Sequence, residues 1–376
     1  MNAARARLAR VRCCRLRLVS AAGVATALGW IIFNCIYSGS FGEMSVRVFA
    51  TGVGHFSSAA VQTELTLGVS TMDRLTRGID TAVCNRTRVL RPDRANDTAN
   101  LTGRVGRWID NANAFIECPV ALTHSASVPR VLHRIWECAE IPDAYASSVA
   151  SWGRHADGMI VALWTEELRQ RFVRKMLGPG KLGLYQRLIP GAYRADLFKY
   201  IVMYYIGGIY SDLDATLLMG LGRLGYLFSG TTLCDDLLPG MLHPGALMMA
   251  PPGRVIFVCA AMAVFRHSKN RDMGASDLHV TGPGVLGACA RYTRRARGAD
   301  LEPVGGQGVR LLHSRIPAGG SHTFYLAGGK ALVRLQPGGA TYPHVQRPEC
   351  DPGEHYSVLY RKGEIYRTDT LRIVPW

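Results

Sequence analysis

The segment 194–214, RADLFKYIVMYYIGGIYSDLD, constrains the fold of this chain more than any other. Between Tyr193 and Ile206, the residues Phe198, Ile201, Val202 and Tyr205 recur at i, i+3, i+4 and i+7, which predicts an amphipathic helix with one buried stripe. Gly207-Gly208 then stops it, because glycine supplies the left-handed residue that a helix end needs. Ile209 to Asp214 is expected as a strand end, where a period of two puts Asp212 and Asp214 on one side and Leu213 on the other. Two carboxylates side by side at the carboxyl end of a buried strand suit a hard divalent cation. Oxygen ligands favour Mn²⁺ or Mg²⁺, which could bridge to a diphosphate and neutralise a leaving group. Asp-x-Asp alone is common on surfaces; the apolar helix and glycine pair before it set this one apart. Asp196 and Lys199 share a helix face away from the apolar stripe.

The flanking sequence predicts an α/β fold. A short apolar run after a proline, Val128 to Trp136, reads as a strand, 147–155 as a helix and 159–164 as a strand. A helix over 165–176 follows, with Thr165 as its cap and Glu166 and Glu167 in the first turn, where the dipole favours acid. Strands alternating with helices imply a mainly parallel sheet. With 48% apolar and 19% charged residues over 376 positions, a sizeable core is expected and wholesale disorder is excluded.

The N-terminus carries a different signal. Six arginines fall in the first seventeen residues, which leaves +10 of the net +16 for everything after them. From Leu18 to Tyr37 run twenty residues without a charge, about 30 Å as a helix, which is enough to span a bilayer. The positive-inside rule then keeps the tail cytosolic and places the remainder in a lumen or outside the cell. The expected organisation is a basic tail over 1–17, a transmembrane signal anchor over 18–37, a glycosylated stem over 38–127 and a catalytic domain over 128–376. Sequons at Asn85, Asn96 and Asn100, packed within eighteen residues, agree with that topology. Cys13 and Cys14, beside the anchor, are candidates for palmitoylation.

Seven cysteines remain beyond the anchor, Cys84, Cys118, Cys138, Cys234, Cys259, Cys289 and Cys350, which permits up to three disulfides and one free thiol in an oxidising lumen. None shows C-x-x-C spacing, which argues against a structural zinc site. Gly282 to Gly287 spells G-x-G-x-x-G, but it comes late and carries Pro283 in the tight turn, which argues against a dinucleotide site. A sequence pI of about 9.7 raises nucleic acid as a partner, yet no basic-aromatic stripe supports it.

Taken together, these residues resemble the DXD-containing glycosyltransferase family of the yeast initiation-specific α-1,6-mannosyltransferase, the inositolphosphoceramide mannosyltransferases and the animal α-1,4-galactosyltransferases, glycosyltransferase family 32. VPRVLHRIW at 128–136 resembles its first strand, and the segment 194–214 its central signature. HVTGPGVL at 279–286 resembles its T-G-P segment, so the likeness runs from about Val128 to Leu286. The resemblance implies a GT-A fold. It also implies transfer of a hexose from a nucleotide-diphosphate sugar to a glycan or glycolipid, with retention, mannose being favoured slightly over other hexoses. Asp212 and Asp214 match the metal and nucleotide carboxylates, and Asp196 an acid on the donor-sugar hydroxyls. Trp136 matches the aromatic that stacks on the base, and Arg194 the family arginine, suited to phosphate. Lys199 stands where the family usually has arginine, a departure that matters wherever that position makes bidentate contacts, because lysine is a point charge. Many members carry a His-His…Ser-Trp segment near the C-terminus; here His344 and His355 stand in that region, which leaves a third metal ligand open. The expected location is the Golgi or endoplasmic reticulum membrane. A non-catalytic sugar- or nucleotide-binding protein on the same fold is the alternative.

Overall fold

The structure is a computed structural model that describes residues 101–118, 127–156, 158–297, 309–317, 320–336 and 350–368, together with four short strands nearer the N-terminus. The chain divides into two compact units, Met1–Leu75 and Thr76–Trp376.

Within the first unit, β1 (Phe33–Tyr37), β2 (Met44–Val48) and β3 (Thr63–Leu67) form an antiparallel sheet in that order. Residues 18–32 of the expected anchor lie outside the described residues, as do Cys13, Cys14 and the sequon asparagines Asn85, Asn96 and Asn100. The last five residues of the apolar run are drawn as strand, not helix, in keeping with the aromatic and β-branched character of Phe33, Ile36 and Tyr37. Among the described residues, no helix is long and apolar enough to cross a membrane.

The second unit is built on a ten-stranded sheet. Its strands are β4 (Pro92–Asp93), β5 (Val131–Ile135), β6 (Met159–Trp164), β7 (Gly208–Tyr210), β8 (Ala215–Leu217), β9 (Thr231–Asp235), β10 (Leu242–Ala250), β11 (Val309–Arg315), β12 (Thr323–Tyr325) and β13 (Ala331–Leu335). They lie in the order β4-β6-β5-β7-β10-β9-β11-β12-β13-β8. β5 pairs in parallel with β6 and β7, and β9 with β11, but the other pairings are antiparallel. The sheet is therefore mixed rather than mainly parallel. Helical crossovers account for the parallel half around β5; β9 and β10, β11 and β12, and β12 and β13 are joined by turns too short for a crossover, and short turns reverse direction.

Eight helices are used below: α1 (Leu101–Glu117), α2 (Ala146–His155), α3 (Glu166–Arg187), α4 (Gly191–Tyr205), α5 (Val255–Asn270), α6 (Asp277–Val280), α7 (Pro283–Arg297) and α8 (Tyr356–Lys362). The expected helix over 165–176 begins as read, with the Thr165 hydroxyl accepting from the Leu168 N–H, and it breaks at Gly178 before continuing to Arg187. The expected stem boundary at 127 is corrected. The α1 residues Val105 and Trp108 are buried in the core shared with β5 and β6, and Asn111 donates to the Val161 carbonyl at 2.8 Å. An amphipathic stripe just after the sequons gives this helix a face to bury, so it belongs to the domain.

The central elements meet around β5, which is buried along its whole length, as a strand covered on both faces must be. His133 accepts a hydrogen bond from Trp164 Nε1 at its Nδ1, so its Nε2–H donates to the Gly207 carbonyl at 2.8 Å. Burial pushes this imidazole down to about 4 and keeps it neutral at neutral pH. Gly207 and Gly208 have φ of 68° and 99°, and a Cβ on Gly208 would lie 2.7 Å from the Val131 carbonyl oxygen. Both the left-handed backbone and the close approach of β5 therefore demand glycine. Gly208→Ala should lower stability by about 2 kcal/mol or more, read as a fall in Tm, while Gly222→Ala, with nothing within 4 Å of its Cβ, should cost much less. Equal melting of the two variants would contradict this account of the turn.

Candidate active site

A cleft of about 430 Å³ opens where β5, β7 and β9 end, lined by Trp136 after β5, Asp212 and Asp214 after β7, and Asp236 after β9. This is the crevice at strand carboxyl ends where α/β sheets bind ligands. Asp212 and Asp214 occupy a turn rather than the expected strand end, and both line the cleft together with the buried Leu213 between them.

The two carboxylates are held differently. Asp212 Oδ1 accepts from the Tyr210 hydroxyl at 2.5 Å and pairs with the Lys199 ammonium at 3.5 Å. Burial alone would raise its pKa, but Lys199, Tyr210 and His243 outweigh it and hold Asp212 below the usual carboxylate range. Gly245 leaves the room for Asp212 Oδ2: a Cβ there would collide with that oxygen. Asp214 Oδ1 is buried with no hydrogen-bond partner, and burial followed by the charge of Asp212 pushes Asp214 up to about 7. Because buried polar atoms are nearly always satisfied, an orphaned carboxylate oxygen beside a second carboxylate fits a cation. Among the described residues no third acidic, histidine or cysteine ligand joins them. Two carboxylates supplemented by water and diphosphate oxygens are the pattern typical of Mg²⁺ and suit Mn²⁺ as well.

Asp196 lies across the cleft on α4. Its Oδ1 pairs with Lys199 at 3.0 Å and its Oδ2 accepts from the Thr281 hydroxyl at 2.8 Å. The T-G-P segment is therefore part of the site, and Tyr200 binds it from beneath by donating to the Thr281 carbonyl at 3.0 Å. Lys199 is clamped between the Asp196 and Asp212 carboxylates and lies 4.8 Å from the Tyr210 ring centre. Those two acids outweigh burial and keep it charged. Trp136 lines the cleft and meets the Tyr145 ring edge-on at 5.6 Å.

Arg194 is the one sequence-assigned residue that does not line the cleft. Its guanidinium lies 3.1 Å from Glu166 and 3.8 Å from Glu137 and donates to the Leu188 and Ile189 carbonyls. Arg169, fully buried, binds the same two acids at 2.7 and 2.8 Å, so Arg194 ties α4 to α3 rather than meeting phosphate. Of the two C-terminal histidines, His344 lies outside the described residues. His355 caps α8, where its Nδ1 accepts from the Ser357 N–H at 3.3 Å. The sequence reading missed His243, His322, Asp236, Tyr145 and Tyr356, all of which line the cleft from distant elements. His355-Tyr356 was singled out, but for the imidazole and not the ring that reaches the site. Cys138–Cys350 brings that C-terminal wall to the cleft, and Cys259–Cys289 joins α5 to α7. Cys118 is also disulfide-bonded and Cys234 is a buried free thiol, in keeping with the expected tally.

Residues 142–228 match the family described as "Glycosyltransferase sugar-binding region containing DXD motif". The particular relatives include inositol phosphoceramide mannosyltransferases 3 and 2 of Schizosaccharomyces pombe, 35% identical over 91 residues and 31% identical over 88. Those alignments take in 24% and 23% of this chain and 25% of each relative, so the chain matches about a quarter of the length of the curated relatives. Among solved structures, the "PaToxG Glycosyltransferase" aligns at a TM-score of 0.36 and 14% identity, over 55% of this chain and 91% of that one. The family match and the curated relatives bear out the resemblance read from the sequence, over that part of the chain.

Asp214 gives the site a pH signature. Its raised constant means that the metal-free folded state binds a proton more tightly than the unfolded chain between about pH 4 and about 7, so its contribution to stability falls as pH rises through that window. Metal-free Asp214→Asn should match wild type near pH 4 and melt above it at pH 8. Comparing the two proteins cancels the opposite trend of His133, whose lowered constant favours folding as pH rises. Melting curves that stay parallel over this range would contradict the burial of an unrelieved charge at Asp214.

Proposed function

We propose that this protein is a divalent-cation-dependent glycosyltransferase that moves a hexose, with mannose slightly favoured, from a nucleotide-diphosphate sugar to a glycan or glycolipid acceptor. The observation that carries the reading is the presentation of Asp212, Asp214, Asp196 and Trp136 into one cleft at the carboxyl ends of β5 and β7. The relatives' printed activity supports a mannosyl donor, and the resemblance implies retention on a GT-A scaffold. The basic tail followed by an apolar run supports an anchored protein facing the lumen of the Golgi or endoplasmic reticulum, and the disulfide-bonded Cys118, Cys138, Cys259, Cys289 and Cys350 suit that oxidising compartment.

The residues divide the work by chemistry. Asp212 and Asp214 would hold Mn²⁺ or Mg²⁺, which when bound supplies positive charge to a departing diphosphate. Trp136 and Tyr145 form an aromatic wall on which a base can stack, an interaction of roughly 1–3 kcal/mol. Asp196, oriented by Thr281 and Lys199, accepts hydrogen bonds from donor-sugar hydroxyls. Lys199 places a fixed ammonium between Asp196 and Asp212, where it both steers those carboxylates and attracts an anionic donor. Tyr145 stays protonated, since burial and the charges of Asp214 and Asp212 all oppose its ionisation, and so presents a hydroxyl donor to the cleft.

A panel of nucleotide sugars, screened for hydrolysis and transfer with Mn²⁺ and with chelator, tests this directly. One donor should be turned over only with the cation, and Asp212→Ala or Asp214→Ala should lose orders of magnitude in turnover while remaining folded. Near-wild-type rates from either variant would remove the cation assignment, and donor binding without turnover would favour a non-catalytic binding protein.

A further inference from the structure

The turn that carries Asp212 and Asp214 is secured through its backbone. Each carbonyl from Ser211 to Ala215 has a donor. Arg134 Nη1 donates to Ser211 O at 3.0 Å and to Asp212 O at 2.5 Å. The Ser148 hydroxyl donates to Leu213 O, the Gln336 N–H to Asp214 O at 3.1 Å, and Trp152 Nε1 to Ala215 O at 2.7 Å. From the other side, the Asp212 N–H donates to Gly245 O at 2.7 Å and the Leu217 N–H to the Ser151 hydroxyl at 3.0 Å. Helix α2 thus contributes Ser148, Ser151 and Trp152 along one face, and β5 contributes Arg134.

Arg134 differs from the other donors. It is 2% exposed, its guanidinium lies 4.6 Å from the Trp152 ring centre, and it alone among these groups carries a charge. A buried guanidinium is costly unless its surroundings use it, and here it spans two consecutive carbonyls while stacking on the side chain that holds a third. One nitrogen, Nη1, therefore ties β5 to the acidic turn, while the guanidinium plane rests on α2 through Trp152 and Nη2 is buried without a hydrogen-bond partner.

We propose that Arg134 is a positioning residue for the cation site, fixing the Asp212–Asp214 turn so that both carboxylates face one divalent ion. The proposal rests on the cation reading given above. Two effects of removing Arg134 oppose each other, which makes the inference testable. Loss of a nearby positive charge favours cation uptake by the carboxylates, whereas loss of the two carbonyl contacts frees the turn and disfavours it. A positioning role requires the second effect to win.

The test is calorimetric titration of Mn²⁺ alone into the full-length protein, with Tm measured alongside. Wild type should bind at one site that Asp214→Asn removes. Arg134→Gln should weaken binding at least about tenfold, or 1.4 kcal/mol. Arg134→Lys, which keeps the charge but loses the planar group stacked on Trp152 and reaches the two carbonyls from a shorter, flexible stem, should recover only part of it. Ser148→Ala, which releases the neighbouring Leu213 carbonyl without altering charge, should weaken binding by a smaller factor. Arg134→Gln with unchanged or tighter Mn²⁺ affinity, even at a reduced Tm, would overturn the proposal, since a purely structural or purely electrostatic role gives those results. Should that variant fail to fold, wild-type affinity in Ser148→Ala would overturn it instead. A wild-type protein that binds no Mn²⁺ would overturn the cation reading itself and this inference with it.

Discussion

Two carboxylates that cannot both be comfortable without a counter-charge set the character of this molecule. Asp212 is relieved by Lys199 and Tyr210, but Asp214 has an orphaned oxygen and a neighbour of its own sign. Such an arrangement costs stability in the free protein and persists only where the surrounding structure over-determines it. The remainder of the domain can be understood as that over-determination. The neutral His133 fixes Gly207, the glycine pair lets β7 approach β5, and the carbonyls of 211–215 are all engaged.

The same logic separates the two arginine-rich environments next to the cleft. Arg169 and Arg194 meet Glu137 and Glu166 in a cluster that joins α3 to α4, so its charges cancel locally. Arg134, in contrast, donates to backbone carbonyls beneath the acidic turn. An ion pair satisfied within the scaffold has no charge left for a ligand, whereas a cation spent on carbonyl dipoles still contributes its field to the carboxylates above it.

Much of the parallel half of the sheet was legible in the sequence because its signals are local. The stripe of Phe198, Ile201, Val202 and Tyr205, the glycine stop and the Thr165 cap each act within a few residues, and those elements formed where expected. Asp196, Asp212, Asp214 and Trp136 were legible for the same reason, together with the family likeness of their motifs. What escaped was non-local. His243, His322 and Tyr356 reach the cleft from 29 or more residues beyond Asp214, and no short-range pattern marks them. Helix α1 was misassigned to a stem because sequon chemistry, read by composition, outweighed a modest apolar stripe. Arg194 is expected at phosphate from the family likeness and its fork of donors, but the acids that claim it lie on β5's exit and on α3, a pairing only the fold brings about.

The most direct measurement is anomalous diffraction at the manganese edge from crystals grown with Mn²⁺ and a nucleoside diphosphate. The account predicts one peak within coordinating reach of both the Asp212 and Asp214 carboxylates, with the base against Trp136. A peak elsewhere, or an occupied nucleotide cleft in which Asp214 is satisfied by a hydrogen bond and no ion, would contradict it.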